Sequence, residues 1–222
     1  MCGRYSITSA PEAMRRLFKF SNALPNLRPR YNVAPTQDVP VVRATEVGRE
    51  LVALRWGLVP HWSPDLSIGA KLINARSETV AEKPSFRDSF RKRRCLVVAD
   101  GYYEWQKAEG KKLPWRYTLN DGGLFAFAGL WARWDKARDK VPVETCAILT
   151  TEANQLARKI HDRMPVILAP DDYAAWLGED AQREPTDLLR PYPSEAMRAY
   201  RVGAVVSNSR NDVPECIEPI AA

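Results

Sequence analysis

Cys95-Leu-Val-Val-Ala99, Leu124-Phe-Ala-Phe-Ala-Gly-Leu130 and Thr145-Cys-Ala-Ile-Leu-Thr150 share one pattern: each is short, apolar and rich in β-formers. Such runs read as buried strands. Working outward, Leu51-Val-Ala-Leu-Arg-Trp-Gly-Leu-Val-Pro60 reads as a strand ending at a Pro-bounded turn, and Val202–Val206 as a late strand. Helical signals are few. Ser9 followed by Glu12 has the form of a capping box, with Met14, Leu17 and Phe18 as the apolar stripe. A second helix is predicted over Ser85–Arg93, where Phe86 and Phe90 stand four apart, and a third follows Pro170-Asp171-Asp172 and stops at Gly178. Strands dominate and the helices do not alternate with them. This argues against a doubly wound parallel sheet and predicts an α+β fold, a mixed, strongly twisted, barrel-like β-sheet with peripheral helices.

A chain of 222 residues, without repeats or a Gly/Ser linker, is expected to form a single domain over 1–222. Hydrophobic residues make up 45% and charged residues 27%, the balance of a soluble globular protein. No apolar run approaches the ~18 residues of a membrane span, and the N-terminus lacks a signal-peptide stretch. The expected location is therefore cytoplasmic, or nucleoid-associated when DNA is bound. Cys2, Cys95, Cys146 and Cys216 form no CxxC pair, which points to reduced thiols and away from a zinc site. The formal charge is +6, and of the 33 basic residues 23 are Arg. The planar guanidinium fork matches phosphate, so this bias leans towards an anionic polymer or phosphorylated ligand.

Polar islands interrupt the strands at Asn74-Ala-Arg76-Ser-Glu78, Asp100-Gly-Tyr-Tyr-Glu104-Trp105 and His161-Asp-Arg163. The most reactive candidate is Cys2. Aminopeptidases remove Met1 when the next residue is small, and removal here leaves an amine and a thiol on one residue. A terminal amine has a pKa of about 7.7–8.0 against about 10.4 for Lys, so near neutral pH it can attack an aldehyde to give a Schiff base. The thiol can then close a five-membered thiazolidine. Gly3 allows close backbone approach beside it, and Arg4 supplies a cation.

Six motifs occur in one order: Cys2-Gly3-Arg4, Tyr31-Asn-Val-Ala-Pro35, Arg55-Trp-Gly57, Asn74-Ala-Arg76-Ser-Glu78, Asp100-Gly-Tyr-Tyr-Glu104-Trp105 and His161-Asp-Arg163-Met-Pro165. In this the chain resembles the SOS-response-associated peptidase proteins, abasic-site processing proteins that crosslink themselves to DNA, from residue 2 to about 210. The resemblance implies single-stranded DNA as the partner and the abasic deoxyribose aldehyde as the reacting group. No cofactor or metal is expected. Carried over residue by residue, the resemblance makes Cys2 the nucleophile, Glu104 and His161 the groups that move protons, and Asn74 the group that positions the amine or sugar. Arg76 and Arg163 match positions that contact DNA phosphates, and Arg4 is assigned alongside them. Trp62 is a candidate for stacking on a base, although family members often carry two aromatics where this chain has Trp62 and Ser63. Abasic-site lyase activity and removal of its own Met1 are side reactions that the resemblance suggests. The oligomeric expectation is a monomer.

Two other readings start from the same residues. N-terminal-nucleophile amidotransferases also begin Met-Cys-Gly and use the Cys thiolate on glutamine, with an oxyanion hole to stabilise the intermediate. A non-enzymatic single-strand binding module would leave Cys2 incidental. The run Arg91-Lys-Arg-Arg94 is read as the solvated end of a helix, and Asn32 and Pro35 as loop-shaping residues beneath Cys2.

Overall fold

A computed structural model describes residues 2–23, 26–108, 110–136, 141–180 and 182–220. Five strands, β1 (Tyr5–Ile7), β2 (Arg30–Val33), β7 (Gly101–Ala108), β8 (Lys111–Leu119) and β13 (Met197–Arg201), form one sheet in the order β13-β8-β7-β1-β2. The second sheet holds β3 (Asp38–Thr45), β4 (Gly48–Trp56), β5 (Asn74–Arg76) and β6 (Arg94–Ala99). It is completed by β9 (Phe125–Trp134), β10 (Val143–Glu152), β11 (Arg163–Pro165) and β12 (Ile167–Leu168).

The three apolar runs are neighbours in the second sheet. β9 lies between β6 and β10, and β10 also bonds in parallel to β4 and β5. Because β4 pairs β3 and β3 pairs β6, the strands β4-β3-β6-β9-β10 close into a twisted ring. The β4–β10 seam is only two residue pairs long, Thr145↔Arg55 and Cys146↔Trp56, so the ring falls short of a clean barrel. The structure is thus mostly sheet with a few short helices, as the strand-rich pattern predicts. Gly57 shows why the Arg55-Trp-Gly57 turn needs glycine: its φ is +129°, and a Cβ would stand 2.6 Å from the carbonyl oxygen of Gly69.

The helices depart from the sequence reading in detail. α1 (Pro11–Phe18) begins after Ala10 and has no side-chain cap, so Ser9 and Glu12 form no capping box; Pro at the first turn starts it instead. α2 covers only Arg87–Lys92 within the expected Ser85–Arg93. α3 (Tyr173–Leu177) follows a 3₁₀ turn over Pro170–Asp172 and ends at Gly178, φ +81°, as expected. Val202–Val206 is not a strand. The late strand is β13, and Ala204–Ser207 is a 3₁₀ turn. Period-two apolar patterning over so few residues does not separate the two.

The chain start is tied down through a buried charge. Asp100 accepts hydrogen bonds from Ser6 Oγ at 2.6 Å, Thr8 Oγ1 at 2.7 Å and Arg116 Nη2 at 3.1 Å. Arg116, on β8, also donates to the Tyr200 hydroxyl on β13 at 2.6 Å. This network locks β1 against β7 in the register Tyr5↔Tyr102. Gly101 is required beside it, since a Cβ there would lie 2.8 Å from the Arg116 guanidinium.

Candidate active site

The register of β1 on β7 decides where the N-terminal residues go. Beyond the last ladder pair, the Tyr103 N–H still donates to Arg4 O at 3.0 Å, so the chain start runs along β7 towards Glu104. Cys2 is fully buried there. Burial first, and the neighbouring Glu104 charge second, hold its thiol well above its ordinary value of 9.0. Glu104 is itself only 6% exposed and lies within β7. Around these two groups stand Tyr5, Tyr102 and Tyr117, whose buried hydroxyls have no hydrogen-bond partner among the described residues. Tyr102 and Tyr117 stack at 4.7 Å, and burial, with the Glu104 charge contributing, raises both phenols.

Glu104 opens onto a surface cavity of about 420 Å³ lined by Arg4, Trp105, Lys107, Lys112, His161 and Ser207. The two proton-transfer candidates, far apart in sequence, therefore meet in one place. Arg4 is fixed by donating from Nη1 to Asn32 Oδ1 and to Val206 O, both at 2.8 Å, and its guanidinium lies 5.5 Å from the Trp105 ring centre. Asn32 is buried and donates in turn to the carbonyls of Val206, Asn208 and Asn211, so the segment its side chain holds is 206–211. His161 follows a 3₁₀ turn and accepts the Arg163 N–H on Nδ1 at 3.0 Å, which leaves Nε2 to carry the proton of the neutral ring. When the ring is protonated, Nδ1 becomes a donor with Asp162 Oδ1 at 2.9 Å.

The other candidates lie off this cavity lining. Asn74 sits on β5 beside Ile148 of β10, its Oδ1 buried without a hydrogen-bond partner among the described residues. Arg76, two residues on, is exposed. Arg163 forks onto Glu78, Nη2 to Oε2 at 3.0 Å, and also donates to Thr150 O at 2.6 Å. Trp62 is 44% exposed, so it is no core residue, and its carbonyl accepts from Lys136 Nζ. In the Arg91–Arg94 run, Arg91 and Lys92 are exposed at the end of α2, whereas Arg94 turns inward to cap the Phe90 and Trp176 carbonyls. Met1 lies outside the described residues. Among the described residues no group of acidic, His and Cys side chains could hold a metal, and no helix is long and apolar enough to cross a membrane.

The model of the SOS response associated peptidase (SRAP) family matches residues 1–209. The chain belongs to this family. It is 42% identical over 224 residues to the abasic site processing protein YoqW of Bacillus subtilis (strain 168), covering 98% of this chain and 99% of that one. It is 32% identical over 265 residues to the abasic site processing protein HMCES of Xenopus tropicalis, covering 99% of this chain and 78% of that one. A crystal structure of a Bacteroides thetaiotaomicron protein superposes with a TM-score of 0.89 at 28% identity, over 99% of this chain and 100% of that one. One from Bordetella bronchiseptica gives 0.78 at 31%, over 91% and 100%.

Sequence reasoning missed four residues of the cavity. Trp105 was quoted in a motif without a role, and Ser207, which accepts from Trp105 Nε1 at 3.0 Å, had no local signal. Lys107 and Lys112 had one: they are symmetric about the Gly110 turn, which places them opposite each other on a hairpin.

Proposed function

We propose that this protein is a sensor of abasic sites in single-stranded DNA that crosslinks itself to them through Cys2 once Met1 is removed. The observation that carries the reading is the meeting of Glu104, His161 and Arg4 around one cavity, with Cys2 buried beside Glu104. The freed amine attacks C1 of the ring-opened deoxyribose, and loss of water gives the imine. The thiol then adds across the C=N bond, sulfur to carbon and proton to nitrogen, closing the thiazolidine without an oxidant or reductant. Glu104 and His161 move the protons. Asn74 Oδ1, a buried acceptor, suits an amine donor. Arg4, Arg76 and Arg163 take phosphates, and Trp62, being exposed, can stack on a base. The same imine permits β-elimination, hence lyase activity, and the peptidase step is removal of Met1.

The thiol environment favours this chemistry over a thiolate hydrolase. A buried sulfur beside a carboxylate is held protonated, which weakens it as a first nucleophile, whereas the amine route needs it only in the closing step. The test incubates the purified protein with single-stranded DNA carrying one abasic site, followed by a denaturing gel and intact mass. A species heavier by the DNA, with water lost, is expected. Its absence sinks the reading, and glutaminase activity in the same preparation would replace it. Cys2→Ala should abolish the stable adduct, while Cys2→Ser should leave an imine that borohydride traps.

A further inference from the structure

The β7–β8 hairpin outruns its neighbours. β1 pairs β7 only at Gly101 and Tyr102, and β13 pairs β8 only from Trp115 to Leu119. The ladder between β7 and β8 nevertheless continues out through Gln106↔Leu113 and Lys107↔Lys112 to Ala108↔Lys111. Its outer part is therefore a two-stranded ribbon, a form that is marginal by itself in water. On this ribbon two lysines stand directly opposite each other, an arrangement that like-charge repulsion disfavours. Both are exposed, and among the described residues neither has an ion pair. Both line the cavity onto which Glu104 and His161 open, where with Arg4 they set three cations against one carboxylate. A local cost repeated beside a reactive centre is the mark of a functional site.

We propose that Lys107 and Lys112 form a phosphate clamp that holds the nucleic-acid backbone next to the reacting sugar. The clamp rests on the reading of the cavity as an abasic-site pocket. Ammonium groups on flexible stems act as point charges, which suits backbone phosphates of variable geometry better than a fixed fork does. Arg4 cannot take this part alone, because Asn32 and Val206 fix its Nη1.

The test uses a single-stranded oligonucleotide with one tetrahydrofuran analogue of the abasic site, which binds but cannot open to an aldehyde. Affinity is measured by anisotropy at several salt concentrations. Two lost phosphate contacts on a single strand should flatten the plot of log affinity against log salt by about 1.4 in Lys107→Ala/Lys112→Ala. At 0.15 M salt the same loss weakens binding on the order of tenfold. Lys107→Arg/Lys112→Arg should keep the wild-type slope. Lys83→Ala/Lys92→Ala removes equal charge elsewhere and should change nothing. An unchanged slope in the first variant, equal flattening in the charge control, or no binding by the wild type overturns the clamp. Wild type that binds the analogue with the expected variant slopes, yet forms no covalent species with the true abasic site, overturns the proposed function and leaves the clamp standing.

Discussion

The Glu78 carboxylate already occupies the Arg163 guanidinium, and any phosphate must compete with it. The pair holds the Glu78 carboxyl below its ordinary value of 4.5, chiefly through the Arg163 hydrogen bond. A depressed carboxylate stabilises the fold above its unfolded value, and the contribution is lost as pH falls through the folded value. Glu78 is half-exposed, so the term is about 0.2–1 kcal/mol. Glu78→Gln should accordingly lower the urea midpoint slightly at pH 7, and the difference from wild type should close only as the pH falls through the depressed folded value, below 4.5. Freed of its carboxylate, Arg163 should bind single-stranded DNA more tightly at low salt. Weaker binding in this variant would exclude Arg163 from the phosphate contacts. Arg4→Lys keeps the charge but loses the geometry that reaches both Asn32 and Val206, and should cost about 1–3 kcal/mol in urea denaturation. If Glu104→Gln and His161→Ala both crosslink at wild-type rates, neither moves protons.

At the scale of the element, the motif Asp100-Gly-Tyr-Tyr-Glu104-Trp105 does two jobs on one strand. Asp100 and Gly101 anchor β1 through Arg116, and Glu104 faces Cys2 further along. Asp100→Ala leaves the buried Arg116 without its carboxylate and should cost about 3–5 kcal/mol in urea denaturation. Asp100→Ala/Arg116→Met should be less destabilised than the single variant, because no buried charge is left alone. Equal losses would mean that the ion pair does not hold β1. The sequence reading placed β-structure correctly at the apolar runs and missed the length of β7 and β8. The segments Gln106–Ala108 and Lys111–Leu113 have no apolar alternation, and they are held extended by the hairpin's own ladder and by the Trp115 Nε1–Gln106 Oε1 hydrogen bond.

At the scale of the molecule, the ring depends on close approach at Gly129. A Cβ there would lie 2.8 Å from Val97 Cγ2 and 2.9 Å from Cys95 Sγ, on the strand that packs against β9 in the closed sheet. Gly129→Ala should cost about 1–3 kcal/mol through overpacking. Combining it with Cys95→Ala, which removes the crowding sulfur, should cost less than the two single changes added together. Additivity in thermal and urea melts would show that the ring has slack at this point.

The amino-acid sequence by itself determined the strand-rich α+β class, the order of the six motifs and which residues are candidates for the chemistry. Local chemistry suffices for these: runs of apolar β-formers are driven out of water, and residue types such as Cys2, Glu104 and His161 are readable wherever the chain carries them. Only the tertiary structure decided that Glu104 and His161 share a cavity, that Cys2 is buried beside Glu104, that Arg163 is engaged by Glu78 and that two lysines rim the site. Those facts come from register and ring closure, contacts between residues many positions apart, which no local pattern encodes.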